Sequence, residues 1–344
     1  MYRFRYCLLT LFTCVLVAAC GSQALQTPVA SDCRTVSHVL GSTEFCDRPD
    51  KIVALDAHSL DLVLSLGKQP AGTMTVLPSK SDVIEQPSVA IPYVGDYITT
   101  QPANIGGLGS GPALEVLTQL KPDLIVGESR YIESASDLLA QIAPTLPLDV
   151  RSQKGKWRDN IRALAQAMGD ETLAEEAIEN YQQQVAAARA DLAPVLDARP
   201  KALVLTAASL STGNFHAITA ESFIGELLEA VGFELVYPPS STTNAAPLSI
   251  EVLPELDAAD SIFVLGYSRE LVKPGEAAGG ADTLVQQQVS HIKAEWDGNE
   301  IAQSLTASKE NRVYFTTFYE WNFFNGPIGT TLVLDTLRQF LLSE

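Results

Sequence analysis

Short apolar runs alternate along the chain with segments whose apolar residues recur every three or four positions. The apolar run 51–55 (KIVAL) precedes an amphipathic segment at 59–66, and residues 124–126 form a second apolar run. Short apolar runs of this kind predict buried strands, and the three-to-four spacing predicts helices. Strand, helix and strand in this order are typical of a parallel sheet with helices on both faces.

The second half of the chain repeats this order. Residues 201–205 (KALVL) predict a strand, 222–231 (SFIGELLEAV) an amphipathic helix, and 261–265 another strand. Each half also places the tripeptide Glu-Val-Leu before its passage from helix to strand, so Glu115 and Glu251 occupy equivalent positions. A duplicated unit predicts two similar lobes.

The segment between the halves predicts two helices, 157–168 and 171–192. The second contains no Pro or Gly, and its 22 residues would extend for about 33 Å. Pro194 and Pro200 are expected to mark its far end. The predicted fold class is therefore α/β: two Rossmann-like lobes with parallel sheets, joined by one long α-helix.

Two pairs of polar and aromatic residues follow equivalent strands. Arg130 and Tyr131 come after the strand at 124–126, and Tyr267 and Arg269 come after the corresponding strand of the second half. Ligands of open α/β sheets bind beyond the carboxyl ends of the strands. All four residues are therefore candidates to line one cleft between the lobes.

The four histidines are scattered singly, but His58 and His216 each follow the first strand of a lobe. They are candidates to contact an organic ligand; a shared metal ion and an ordinary structural role are the alternatives. No nucleophile, zinc-protease, phosphate-loop or dinucleotide-binding motif is present in the sequence. A binding protein is therefore expected, with no catalytic residues, no resident metal and no cofactor.

The N-terminus is typical of an export signal. Two arginines precede the uncharged run 6–19, which is shorter than the ~20 residues that a membrane-spanning helix needs. The run ends Val-Ala-Ala before Cys20, which resembles the lipobox of bacterial lipoproteins and implies a lipidated cysteine; an ordinary signal peptide is the alternative. The predicted parts are a signal peptide (1–19), a lipidated tether (20–32), an N-terminal lobe (33–155), connecting helices (156–193) and a C-terminal lobe (194–344).

Cys33 and Cys46 are the cysteines left in an exported, oxidising compartment. A disulfide between them would close a small hairpin with its turn at Gly41 and Ser42. A metal pair is the alternative, with His38 as the only histidine close by in sequence.

The composition is that of a folded chain, with 344 residues of which 46% are apolar. The net charge is −18, so long-range repulsion argues against nucleic acid as a partner. An anionic ligand would need a local basic patch in the cleft, for which Arg130, Arg151 and Arg269 are the candidates. Arg151, Lys154 and Trp157 are expected to line its hinge side.

Seven segments together resemble the substrate-binding lipoproteins of ABC importers for iron–siderophore complexes, the class with a rigid helix between two lobes. The resemblance covers the chain from about residue 50 to its end. The segments are RPDKIVALDAHSLDLVLSLG (48–67), VGDYITTQPANI (94–105), ALEVLTQLKPDLIVG (113–127), WRDNIRALAQAMG (157–169), SFIGELLEAVGFELV (222–236), LSIEVLPELDAADSIFVLG (248–266) and RVYFTTFYEWNFFNGP (312–327).

This resemblance implies a ferric chelate as the ligand, with Trp321 in the cleft and arginines that neutralise the ligand's rim. It also implies that Glu115 and Glu251 dock into arginine pockets of a permease dimer. The location is then the periplasm or the outer face of the cell membrane, with a lipid anchor, and a monomer is expected. Cobalamin or haem is the alternative ligand within this class, and a Zn or Mn carrier is the alternative outside it.

Overall fold

A computed structural model of the protein describes residues 33–75, 81–107, 111–210, 214–267 and 280–343. The signal peptide, the tether, Cys20 and Arg269 therefore lie outside the described residues. Two β-sheets, each covered by helices, are joined by a long helix, which confirms the predicted fold class. Among the described residues, no helix is both long and apolar enough to span a membrane.

A two-stranded hairpin begins the described chain. Strands β1 (Cys33–His38) and β2 (Gly41–Cys46) pair antiparallel, and Cys33 lies opposite Cys46. The predicted disulfide between these cysteines is confirmed. The turn lies at residues 39–40, two positions before the predicted one, and Gly41 begins β2 with a φ of 134° that favours glycine.

The first sheet is entirely parallel, as predicted, with the strand order β5-β4-β3-β6-β7. Its strands are β3 (Ile52–Ala54), β4 (Gly72–Thr75), β5 (Ala103–Gly107), β6 (Leu124–Glu128) and β7 (Thr145–Leu148). Its helices are α1 (Ala57–Ser65), α2 (Pro87–Ala90), α3 (Leu114–Leu120), α4 (Ser129–Ile132) and α5 (Ser136–Ile142). Strands β3 and β6 are wholly buried, which explains their unbroken apolar runs.

The second sheet is mixed: its predicted strands pair parallel, and two strands that the pattern did not predict, β9 and β11, add antiparallel pairings. Its path is β11-β9-β8-β12-β13, with β10 beside the start of β8, and both pairings of β9 are antiparallel. Only four residues separate β8 from β9, whereas a parallel neighbour needs a crossover of about a dozen. The strands are β8 (Lys201–Ser209), β9 (Asn214–Ile218), β10 (Glu234–Leu235), β11 (Ala245–Leu248), β12 (Ser261–Gly266) and β13 (Val313–Thr317).

Two helices connect the sheets, α6 (Lys156–Met168) and α7 (Thr172–Leu196). Gly169 ends α6 at a φ of 69°, as the pattern predicts. Helix α7 has 25 residues, or about 37 Å, and continues past Pro194 to Leu196. The buried side chain of Leu196 joins the core there, which offsets the backbone hydrogen bond that proline removes.

The remaining helices cover the second sheet and return the chain to the first. They are α8 (Phe223–Val231), α9 (Gly280–Asp297), α10 (Glu300–Ser304), α11 (Thr306–Lys309), α12 (Phe318–Asn322) and α13 (Pro327–Leu342). A single apolar cluster contains residues of both sheets, α6, α7 and α13. Residues Cys33–Glu344 form one compact unit, and the lobe boundaries at 155/156 and 193/194 stay a prediction.

A buried carboxylate joins α1 to α13. The side chain of Asp61 in α1 accepts hydrogen bonds from the backbone N–H groups of Ile328 (3.1 Å) and Gly329 (2.9 Å), and from the Ser65 hydroxyl (2.9 Å). These amides belong to the first turn of α13, whose positive dipole end favours a negative group. Burial nevertheless raises the pKa of Asp61 to about 6. A Cβ atom on Gly326 would lie 2.8 Å from Asp61 Oδ1, so glycine leaves room for this contact.

Asp61 should make part of the stability depend on pH. Its raised pKa means that the folded protein keeps this proton between about pH 4 and 6, where the unfolded chain loses it. Relative to Asp61→Asn, the wild-type free energy of unfolding should therefore fall by about 3 kcal/mol between pH 4 and 7. Urea unfolding of both proteins across this range measures the difference, and a difference that does not change with pH would contradict the assignment.

Candidate functional site

A cleft of about 340 Å³ lies between the two sheets, at the carboxyl ends of their strands. Arg130 and Tyr131 line it from α4, directly after β6. His216 on β9 and Tyr267 after β12 line it from the second sheet. Four of the sequence-predicted residues therefore meet in one place.

Further cleft residues were not among the predicted site residues, although three of them lie in the segment 312–327 that carries the family resemblance. They include small polar and aromatic side chains: Ser152, Thr206, Asn244, Phe318, Asn322 and Phe323. Asn244 Nδ2 donates to Ser152 Oγ at 2.8 Å, which ties the second sheet to the segment before α6. The cleft thus offers hydroxyl and amide groups beside aromatic rings, a lining suited to a ligand with both polar and apolar parts.

Arg151 forms the floor of the cleft and contacts both lobes. Its Nη1 donates to Glu128 Oε2 at 2.5 Å, and its Nε donates to the carbonyl oxygen of Asn322 at 3.1 Å. The guanidinium carbon also lies 5.1 Å from the centre of the Phe323 ring. Its side chain is only 7% exposed, so most of this charge faces protein groups, with an edge open to the cleft.

Glu128 is the buried counter-ion of two arginines. Its side chain is 0% exposed, and Oε2 also lies 2.8 Å from Nε of Arg130. Burial pushes its pKa up, but the charges of Arg151 and Arg130 outweigh burial and hold the pKa below its ordinary value. The carboxylate is therefore ionised at neutral pH. The pattern LIVGESR, with an acid at a strand end two residues before an arginine, was the available sequence signal for this pair.

Asp56 supports this group from behind. Its Oδ2 accepts the backbone N–H of Glu128 at 2.7 Å, and its Oδ1 accepts that of Ser59 at 2.9 Å, which caps α1. Burial, followed by the negative charge of Glu128, raises the pKa of Asp56 to about 6. The end of β6 is thereby fixed against the start of α1.

His58 does not line the cleft, and its assignment as a ligand residue is corrected. It is 0% exposed, and Asn160 Nδ2 lies 2.9 Å from its Nε2. Burial lowers its pKa to about 4, so the ring is neutral at physiological pH. Sequence order placed His58 after β3, but the packing of α1 against α6 turns it into the core.

Trp321 is likewise a core residue. Its indole is 0% exposed and lies 5.3 Å, centre to centre, from the ring of Phe263. In the short helix α12, Phe318 and Asn322 are four residues apart and share the face that lines the cleft. Trp321 projects from another side of the helix, so the expectation that it lines the cleft is not met.

The predicted hinge residues separate in the same way. Arg151 lines the cleft, whereas Lys154 is exposed and pairs with Glu229 at 3.5 Å. Trp157 is buried with its ring 4.7 Å from that of Tyr181. Of the three, the structure brings only Arg151 to the cleft.

Glu115 and Glu251 are exposed, each in the first turn of a short helix. Glu115 begins α3, and Glu251 lies in a 3-10 helix that spans Ile250–Leu256. Neither forms an ion pair with another described residue. Hydrogen bonds from its own backbone N–H and from Ser249 lower the pKa of Glu251. Both side chains are therefore available to a partner.

Comparison with known proteins matches residues 52–320 to the model of a periplasmic binding protein family. The probable siderophore-binding lipoprotein YfiY of Bacillus subtilis is 25% identical, over 96% of both chains. The Fe(3+)-citrate-binding protein YfmC of the same organism is 26% identical, over 96% of this chain and 94% of its own. The crystal structure of Staphylococcus aureus SirA complexed with staphyloferrin B superposes with a TM-score of 0.68 at 26% identity, covering 90% of this chain and 98% of that one.

The family model spans well over half of the chain, and its members are substrate-binding proteins. The two Bacillus subtilis relatives match along almost their full lengths. The fold, the position of the cleft and these matches agree with one another. This chain therefore belongs to the periplasmic binding protein family.

Proposed function

We propose that the protein captures a ferric siderophore-type chelate and delivers it to an ABC permease, without catalysing a reaction. The observation that carries the proposal is the cleft between the sheets, where Arg130 and Arg151 stand beside aromatic rings. A ferric chelate presents anionic oxygens around the metal and an organic backbone around those. Guanidinium groups suit the first part of such a ligand, and aromatic faces suit the second.

The positive charge of the cleft offsets the repulsion that an anionic ligand would meet from a chain of net charge −18. Arg130 and Arg151 contribute two positive charges, and the buried Glu128 contributes one negative charge. The described lining includes both arginines and no carboxylate, so the cleft wall is positive although the whole molecule is acidic, and the charges of Glu128 and Asp56 lie buried behind it. A ligand with modest negative charge gains from this patch once it is inside.

A carrier of bare Zn or Mn ions is less well supported. Such an ion needs three or four converging His or carboxylate groups. Within the described part of the chain, the one group of three side chains with suitable spacing is Cys33, Glu44 and Cys46, and its two thiols form the disulfide. His216 lies in the cleft outside any such group.

The path of delivery follows from the exposed glutamates and the N-terminus. We propose that Cys20 carries a lipid that holds the protein at the membrane, in the periplasm or at the outer face of the cell. Glu115 and Glu251 then present the loaded protein, as a monomer, to arginine pockets of a permease dimer. The ABC ATPases supply the energy for uptake, and no cofactor of the protein is needed.

Ligand binding tests the proposal directly. We expect the mature protein to retain iron from a panel of chelates in equilibrium dialysis: ferric citrate, a catecholate and a hydroxamate, with haem and cobalamin as the competing ligands. If the protein retained only haem or cobalamin, that compound and not a ferric chelate would be its ligand. Retention of none of the panel would refute capture in the cleft.

Arg130→Gln should weaken binding of ferric citrate by about 10- to 100-fold, because it removes a charged donor from the cleft wall. Arg189→Gln is the matched control, since Arg189 is exposed on α7 and is not part of the cleft lining. The same titration of both variants gives the comparison. Equal affinities in the two variants would exclude Arg130 from the binding site.

A further inference from the structure

The two arginines of the cleft are held to very different degrees. Arg151 has three separate contacts: the Glu128 carboxylate, the Asn322 carbonyl and the Phe323 ring. Arg130 is 47% exposed, and within the described residues its only ion pair is with Glu128. Its guanidinium also lies 4.7 Å from the centre of the neighbouring Tyr131 ring. The orientation of Arg130 therefore depends chiefly on one carboxylate.

Glu128 is well placed to be a fixed point. Its Oε1 accepts the backbone N–H of Arg151 at 3.0 Å, while Oε2 serves both guanidinium groups. Its own backbone N–H is bound by Asp56. The side chain is wholly buried, so its rotamer is restricted by contacts on every side.

A long exposed arginine loses considerable side-chain entropy when a ligand immobilises it. An arginine that is already oriented loses less, and this pre-organisation increases affinity. The group that orients the arginine must not occupy the space in which the ligand binds. A carboxylate buried behind the guanidinium meets this requirement, because it engages Nε and leaves the outer face of the side chain toward the cleft.

We infer that Glu128 is a positioning residue of the binding site. It orients Arg130 toward the ligand, and Arg151 in turn anchors Glu128 to the cleft floor. This inference rests on the proposed function, because it assigns Glu128 a part in the same ligand site. Glu128 acts through Arg130 and does not touch the ligand. Glu128 also holds Arg151, so the part of its effect on affinity that passes through Arg130 is the part that should disappear when Arg130 is absent.

A double-mutant cycle tests this dependence. In the wild-type background, Arg130→Gln should weaken ferric citrate binding by about 10- to 100-fold. In a Glu128→Asp background, where the charge remains but the carboxylate is one methylene shorter, the same change should cost less than about fivefold. An equal cost in both backgrounds would show that Glu128 does not act through Arg130, and a greater cost would show that it competes with the ligand for that charge.

A second measurement does not require a ligand. The Nε–H proton of Arg130 should exchange slowly with solvent in the wild type, because Glu128 accepts it, and at least about tenfold faster in Glu128→Asp. The signal is assigned by its absence in Arg130→Gln, and Arg189 provides the unprotected reference. Equal exchange rates in wild type and Glu128→Asp would overturn the inference whatever the protein binds.

The two measurements separate this inference from the proposed function. A wild-type protein that binds no chelate, yet shows a protected Arg130 proton, would refute the function and leave the positioning of Arg130 intact. A protein that binds ferric citrate with an additive cycle would refute the positioning role alone. If Glu128→Asp does not fold, Glu128→Gln is the second background, and the same two readouts apply.

Discussion

Replacing Arg151 by leucine is expected to lower the free energy of unfolding by about 3–5 kcal/mol, because it leaves a buried carboxylate without its main counter-ion. Glu128 is 0% exposed and would keep the backbone N–H of residue 151, but among the described residues its only charged partner would be Arg130. The change also removes the hydrogen bond to the Asn322 carbonyl and the contact with the Phe323 ring, which join the two lobes. Urea unfolding at neutral pH measures the loss.

Two further variants identify its cause. Arg162→Leu is the matched control, since it breaks an exposed ion pair with Glu175 and should leave stability nearly unchanged. The double variant Arg151→Leu with Glu128→Gln should recover part of the loss, because it removes the uncompensated charge. No recovery in the double variant would mean that lost packing, and not the buried charge, explains the effect.

The sequence predicts this fold well because its apolar patterns are local and strong. The strand runs at β3, β6 and β12 are completely buried, and the amphipathic spacing of α8 ends at Gly232 as expected. The direction of β9 was not predictable from apolar runs, since these indicate burial and not the sense of a neighbouring strand. The length of the connection between β8 and β9 carries that information.

The candidate site was only partly predictable, for a related reason. Position after a strand indicates the edge of the sheet where a residue lies, and this placed Arg130, Tyr131 and Tyr267 at the cleft. It does not indicate how deeply the residue is buried in the protein. His58 follows a strand equally well, but other elements pack over it. Depth is decided by distant segments, and a single sequence does not show which of them meet.

Glu128 is a functional residue that the sequence did not identify, because its main partner also lies in a distant segment. A buried acid is unfavourable unless partners compensate its charge. One partner, Arg130, is two residues away, but the stronger one, Arg151, is 23 residues away and belongs to another segment. The residue that organises the cleft was therefore harder to identify than the arginines it holds.

Reversing both Glu115 and Glu251 to arginine is expected to abolish uptake of the iron chelate in cells, while ligand affinity stays within about twofold of the wild type. Both side chains are exposed and carry no ion pair with a described residue, so reversal should cost only the local hydrogen bonds that Glu251 accepts and leave the fold intact. Neither lines the cleft. If the proposed permease presents arginine pockets, two reversed charges turn attraction at both contacts into repulsion.

The control must make the same change in net charge at positions other than the two docking glutamates. Glu176→Arg combined with Glu300→Arg alters the net charge by the same amount at two other exposed glutamates, and Glu300 also lies in the first turn of a helix. Iron uptake by cells expressing each variant as the only binding protein should be normal for this control and absent for the docking variant. Each single reversal should give an intermediate loss, since one contact of the pair remains. Equal uptake by the docking variant and the control would exclude the two glutamates as the docking pair, because the same change in net charge would then have the same effect wherever it was made.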